Sequence, residues 1–236
     1  HNSRIVGGTP AAEGEFPSMV TLQMRGALGN YHYCGASIIN EMTVLCDALC
    51  IINMDPSALF IGAGDVEFND QTGNEQSVGI SSFLTHEDYN DQTLENDVGL
   101  IILSDPLTMT DFVQPTVLPA AGAETAAGTI CTVTGWGTLS ESGSYPSALQ
   151  KVDVPVASDD DCNNSYGSGS IADSMICAGE FGKDACIGDS GSPLFCNGEQ
   201  VGIVSWGYGC GRPNYPGVYT EVSYFIDWIQ ANTVTL

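Results

Sequence analysis

Basic residues are scarce. Five Lys and Arg stand against 29 Asp and Glu, a formal net charge of −24. Such a chain repels nucleic acid and anionic membrane surfaces, which removes both as partners, and attracts cations and basic polypeptides. A protease that reads basic residues finds only Arg4, Arg25, Lys151, Lys183 and Arg212 to cut. Histidine is scarcer still, at His1, His32 and His86 alone, which leaves little material for a general base. No apolar run approaches the ~20 residues of a membrane helix, and no internal repeat or low-complexity tract occurs. The chain opens on His1 without an apolar signal region, so a processed secreted chain is the expectation.

What is present is a packable core. The 236 residues are 43% hydrophobic, enough for one large all-β domain or two small ones. Nine cysteines point to an oxidising compartment and a disulfide framework, with one sulfur left over. Spacing does not give the pairing, since any eight cysteines allow about 105 connectivities. Short β-rich runs recur between Gly, Asn, Asp and Pro clusters, at 20–24, 36–39, 59–61, 98–103, 129–134, 151–156, 201–206 and 218–222, with a further strand at Thr43–Cys46. Residues 151–156 alternate as in a half-buried strand, and 98–103 are almost continuously apolar as in a buried one. Only the C-terminus reads clearly as helix: Val222, Phe225, Ile226 and Ile229 fall at i, i+3, i+4 and i+7. The aperiodic, Pro/Ala/Gly-rich stretch 115–128 reads as a linker between two halves.

The chemistry centres on Gly188-Asp189-Ser190-Gly191-Ser192-Pro193. A serine between glycines can sit on a tight turn whose backbone N–H groups hold an oxyanion. The G-x-S-x-G elbow does not fit, because the fifth residue is Ser192, and the order Ser, acid, His is impossible with these histidines. Taken alone, the motif is compatible with a chance turn. Its company is specific: Ile5-Val6-Gly7-Gly8 after Arg4, Phe16-Pro17, Cys34-Gly35-Ala36-Ser37, Asn96-Asp97-Val98-Gly99-Leu100, Gly135-Trp136-Gly137, Asp184-Ala185-Cys186, Ser205-Trp206-Gly207-Tyr208-Gly209-Cys210 and Pro216-Gly217-Val218-Tyr219. In this order and spacing, from about residue 5 to 229, the chain resembles the chymotrypsin-fold serine proteases, and their trypsin branch in particular.

The resemblance implies an all-β fold of two six-stranded antiparallel β-barrels with a C-terminal α-helix. It sets a single domain over 1–236, with barrels at about 16–114 and 129–222 and the helix at about 223–232. It implies Ser190 as nucleophile, Asp97 as the acid that orients the base, Ser205 as its support, and Gly188 and Ser190 as oxyanion donors. The family's Ala-Ala-His-Cys segment reads Asp47-Ala48-Leu49-Cys50 here, and leucine cannot take a proton from Ser190. Asp47, Ile187 and Ser192 are further departures around the site. A protein that is not an enzyme is therefore the expectation. Asp184 matches the acid at the floor of the specificity pocket, with Ala185, Ser205, Trp206, Gly207 and Gly217 around it, a setting for a guanidinium or ammonium.

The resemblance also implies disulfides Cys34–Cys50, Cys131–Cys196, Cys162–Cys177 and Cys186–Cys210, with Cys46 a free, buried thiol. Activation would turn on Arg4, Ile5, Asp189 and His32: with Arg4–Ile5 uncut, Asp189 is expected to turn to His32, and the oxyanion hole to be incompletely formed. No cofactor is required; calcium at a loop spanning 64–76, through Asp65 and Glu75, is the one metal option. Asn163-Asn164-Ser165 is a glycosylation sequon. Three classes of function follow. The first is a secreted, non-catalytic homologue that binds a protein or peptide ligand, such as a protease inhibitor or a partner protease, by a basic residue. The others are a weak endopeptidase cleaving after Arg or Lys, and a structural or storage protein whose cleft is unused.

Overall fold

The computed structural model describes residues 5–27, 29–67 and 72–236. Arg4, and residues 68–71 of the loop expected to hold calcium, lie outside them. Six strands close into an antiparallel barrel in the order β2-β3-β4-β7-β6-β5. They are β2 (Met19–Met24), β3 (Tyr31–Ile38), β4 (Thr43–Cys46), β5 (Leu59–Ala63), β6 (Gln76–Thr85) and β7 (Gly99–Leu103). Strands β4 and β5 are buried throughout, as fits their runs of Val, Leu, Ile and Phe. Strand β6 has no fully buried residue and carries three serines, so its sequence gives no strong period.

The second half is a seven-stranded antiparallel sheet, the six strands of the expected second barrel with one short strand added at its edge. Its order is β1-β9-β8-β11-β12-β13-β10, with β1 (Thr9–Pro10), β8 (Ile130–Gly135), β9 (Gln150–Pro155), β10 (Met175–Ala178), β11 (Pro193–Cys196), β12 (Glu199–Trp206) and β13 (Gly217–Glu221). Its far edge comes back to the end of β9 through a bridge from Val156 to Ala178, where Gly179 N–H donates to the Pro155 carbonyl at 3.0 Å and Ala157 N–H to the Cys177 carbonyl at 2.8 Å. The extra strand is the N-terminal segment, paired through Thr9 with Lys151 at an edge where proline is tolerated.

Two helices flank the sheets. α2 (Ile226–Asn232) follows a 3-10 turn over Val222–Phe225 and buries Ile226 and Ile229 in a cluster with Leu45, Val98 and Ile203. It thus packs where the two halves meet. α1 (Asp159–Tyr166) corrects the reading that only the C-terminus is helical. Ser158 caps it by accepting the Asp161 N–H, and three aspartates fill its first turn, where the helix dipole favours anions. Its low hydrophobicity hid it from a period-based reading. Four disulfides form: Cys34–Cys50, Cys131–Cys196, Cys162–Cys177 and Cys186–Cys210. Cys46 is a free, buried thiol.

Candidate functional site

The cleft draws on both halves. Leu49 comes from the turn after β4, a segment that Cys34–Cys50 ties to β3. Asp97 precedes β7, Ser205 lies in β12, and Ser190 sits on the turn before β11. That turn is anchored within its loop by Asp189 N–H to the Cys186 carbonyl at 2.9 Å, and across the two halves by Gly35 N–H to the Ser190 carbonyl at 2.8 Å.

Asp97 is fully buried. One carboxylate oxygen accepts the Ser205 hydroxyl at 2.5 Å and the other accepts the Leu49 backbone N–H at 2.9 Å. The Leu49 side chain points away into the cleft and is 42% exposed. Burial raises the Asp97 pKa, against the lowering pull of the Ser205 hydrogen bond. Behind it lies a second buried acid, Asp47, held well above the usual carboxylate range by burial and by the charge of Asp97. One Asp47 oxygen accepts the Cys50 N–H and the Cys46 thiol, and the other has no partner. Burial also pushes the Cys46 thiol up, which makes it inert.

The two described histidines do not reach Ser190. His32 bonds the Thr21 hydroxyl through Nδ1 at 2.7 Å and the Gly188 carbonyl through Nε2 at 2.8 Å, and burial lowers its pKa to about 4. His86 packs on Phe225 and Trp228. The expected pairing of Asp189 with His32 is therefore corrected. Asp189 instead accepts N–H groups from Gly137 at 2.7 Å and Cys186 at 2.9 Å, so both oxygens are satisfied without a cation. Glycines at 135 and 137 make this possible, since a Cβ on either would lie 2.0 to 2.4 Å from the carboxylate. With burial uncompensated by charge, its pKa rises to about 7. Ile5 is fully buried and its neighbour Val6 accepts the Asp184 N–H, so the N-terminal segment is docked against the pocket loop.

Asp184 forms the floor of a cavity of about 380 Å³ that also reaches Ala185, Ser190, Ser205, Trp206, Gly207 and Gly217. It is 3% exposed. One oxygen accepts the Gly211 N–H at 2.9 Å, and Oδ1 has no partner. Burial, with a smaller contribution from Asp189, raises its pKa to about 7. A Cβ at position 217 would lie 2.6 Å from Oδ1, so glycine there keeps the acceptor open. An orphaned buried carboxylate oxygen at the end of a slot suits a guanidinium or ammonium. Nothing in the sequence singles out Glu141, which lines the same cavity and accepts two bonds from Arg212, at 2.6 and 2.8 Å, so that one loop is strapped to another at the cavity mouth.

Metal-binding geometry is weak. The one group of three candidate ligand atoms among the described residues is Cys34, Asp47 and Cys50, and both sulfurs are bonded to each other. Burial, and then the charge of Glu75, raise the pKa of Asp65 to about 7. Glu75 binds the N–H groups of Thr72 and Gly73 and the Thr72 hydroxyl. Asp65 and Glu75 can supply two of the 6–8 oxygens calcium takes, the others being carbonyls and waters; residues 68–71 of the loop lie outside the described residues.

A family model described as Trypsin matches residues 5–229. The chain is 49% identical to Trypsin-1 of Astacus astacus over 98% of its length and 100% of that protein. It is 44% identical to Trypsin of Sus scrofa, covering 97% of this chain and 95% of the relative. Against Anionic trypsin of Canis lupus familiaris the figures are 43%, 98% and 90%. These matches overturn the expectation that the chain is not an enzyme: its whole length aligns with proteins named as trypsins, which are serine endopeptidases. With its closed six-stranded barrel, second antiparallel sheet and short C-terminal helix, the chain belongs to the trypsin family of chymotrypsin-fold serine proteases.

Proposed function

We propose that the protein is a secreted trypsin-like endopeptidase of low turnover that engages polypeptides through an Arg or Lys side chain. The observation that carries this reading is the unpartnered Asp184 Oδ1, buried at the end of a cavity that Ser190 also lines. A guanidinium seated there places the carbonyl of the basic residue beside Ser190. The N–H groups of Gly188 and Ser190 then face the oxygen on which charge develops as the Ser190 hydroxyl attacks. Leu49 offers no lone pair, so the hydroxyl proton leaves to water or to the substrate itself, and Asp97 contributes its negative field from behind. Serine proteases stripped of the triad base keep roughly 10³–10⁴-fold acceleration over water through the oxyanion hole and binding, and that is the scale of activity we assign. Proteases of this family need no cofactor, and calcium is optional in them. Four disulfides support an extracellular setting. Ligands that present a basic residue to such a cleft, protease inhibitors among them, compete for the same pocket.

The test is hydrolysis of an arginine ester and an arginine amide by the purified chain beside its Ser190→Ala variant. We expect slow ester turnover that the variant lacks, and amide turnover slower again. Ester rates equal in both proteins overturn the proposal.

A further inference from the structure

Among the described residues the basic ones are Arg25, Lys151, Lys183 and Arg212, and the backbone around them is not equally protected. Lys151 lies inside β9, matched to Thr134 of β8 on one side and Thr9 of β1 on the other, and its ammonium bonds Glu15. Lys183 has both backbone groups engaged with Glu180, its N–H at 2.9 Å and its carbonyl at 3.1 Å. Its ammonium bonds the same residue at 2.8 Å. The next residue, Asp184, is buried and donates its N–H to the Val6 carbonyl. Arg212 bonds Glu141 and accepts the Tyr215 N–H on its carbonyl. It is followed by Pro213, whose ring crowds the amide and carries no N–H.

Arg25 differs on each count. It stands just past the end of β2, and no carboxylate of the described residues pairs with it. Its guanidinium lies 4.8 Å from the Phe60 ring centroid, a weak hold at an exposed site. Arg25, Gly26 and Ala27 are exposed, as are Gly29, Asn30 and Tyr31 on the way into β3. Past Arg25, the Gly26 carbonyl accepts the Gly29 N–H at a long 3.3 Å. A protease must draw the residues on both sides of a bond into an extended form, so the segment that opens at least cost is cut first.

We infer that Arg25–Gly26 is a cleavage site for proteases that read Arg or Lys, and that the other described basic residues are closed to them while the chain is folded. Water adds across the amide, leaving a carboxylate on Arg25 and an ammonium on Gly26. The cut falls between β2 and β3, neighbours in the closed barrel. Ahead of it lie β1, β2 and the buried Ile5, which reach into both halves, and no cysteine, the first being Cys34. The severed segment is therefore held by packing alone. It includes Thr21, the β2 partner of Gly35, whose N–H supports the Ser190 carbonyl. Cleavage here undermines the site from outside the cleft.

The Ser190→Ala protein, which brings no activity of its own to the digest, is incubated with a small amount of a trypsin, and the first fragments are weighed by mass spectrometry. The first cut, whether or not residues 1–4 remain attached, should fall after Arg25. The piece ending at Arg25 and the piece 26–236 should part on a denaturing gel without reductant. Arg25→Gln should slow the loss of the chain by at least about tenfold, the scale set by the cost of opening a protected bond. Arg25→Lys, which keeps the charge, should be cut as the parent is. A first cut after Lys151, Lys183 or Arg212 overturns the inference. So does a chain left intact, or an Arg25→Gln chain lost as fast as the parent.

Discussion

Asp97 is set up for a partner that position 49 does not supply in its side chain. One oxygen holds Ser205 and the other takes the backbone N–H of Leu49, so the acid is fixed in place, with its charge aimed at the cleft. Restoring an imidazole by Leu49→His puts a base where an exposed leucine now stands. A positioned base contributes about 10²–10⁴-fold, and arginine-amide turnover should rise within that range. It should stay short of a trypsin's rate, because the uncompensated Asp47 lies behind the site with an unpartnered oxygen, and Ser192 carries a buried hydroxyl without a partner. Progress curves on an arginine amide check this. No gain would mean that residue 49 is not what limits the rate, and full trypsin-like turnover would mean that Asp47, Ile187 and Ser192 are neutral.

Elements, not single residues, hold the two halves in register. α2 contributes Ile226 and Ile229 to the cluster where Leu45 of β4 and Ile203 of β12 meet, so the helix clamps a strand from each sheet. Ile229 is fully buried, and truncating it leaves a cavity at that junction. Ile229→Ala should lower unfolding stability by about 2–5 kcal/mol, measured by urea denaturation. A loss under 1 kcal/mol would show that the helix is not part of the core. The disulfides act at the same level: Cys34–Cys50 fixes the Leu49 turn and Cys186–Cys210 fixes the loop carrying Ser190.

Across the molecule, every described basic side chain is already engaged. Lys151 pairs with Glu15, Lys183 with Glu180 and Arg212 with Glu141, while Arg25 lies 4.8 Å from the Phe60 ring. The buried acids are left without cations. Asp184 and Asp189 are both raised to about 7, in each case mainly by burial. Between roughly pH 4, where an unfolded aspartate ionises, and pH 7, the native state therefore binds more protons than the unfolded chain. Stability falls as pH rises through that window. We expect a higher melting temperature at pH 5 than at pH 8 in scanning calorimetry, with the difference reduced in Asp184→Asn. A melting temperature that rises from pH 5 to 8 would contradict this assignment of the buried charges.

Much of the site was legible in the sequence, because its residues sit in short runs whose types and order are restrictive. Ser190 lies between glycines, Asp97 stands before a buried strand, Asp184 precedes Cys186, and Gly217 stands where a side chain would close on Asp184. The strongly apolar strands and the C-terminal helix were legible for the same local reason, since their periods survive in the chain. The half-buried β6, the acidic α1 and the edge strand β1 were not, because capping, edge pairing and register depend on neighbours far along the chain. Tertiary structure alone decided where the buried charges found their partners. Asp189 takes two backbone N–H groups instead of His32 because the glycines at 135 and 137 let it approach, and His32 is drawn to Gly188 and Thr21. It was likewise packing, not sequence order, that tied Lys151 to Glu15 and Arg212 to Glu141 and left Arg25 exposed, since residues distant along the chain share a surface only once the two sheets have met.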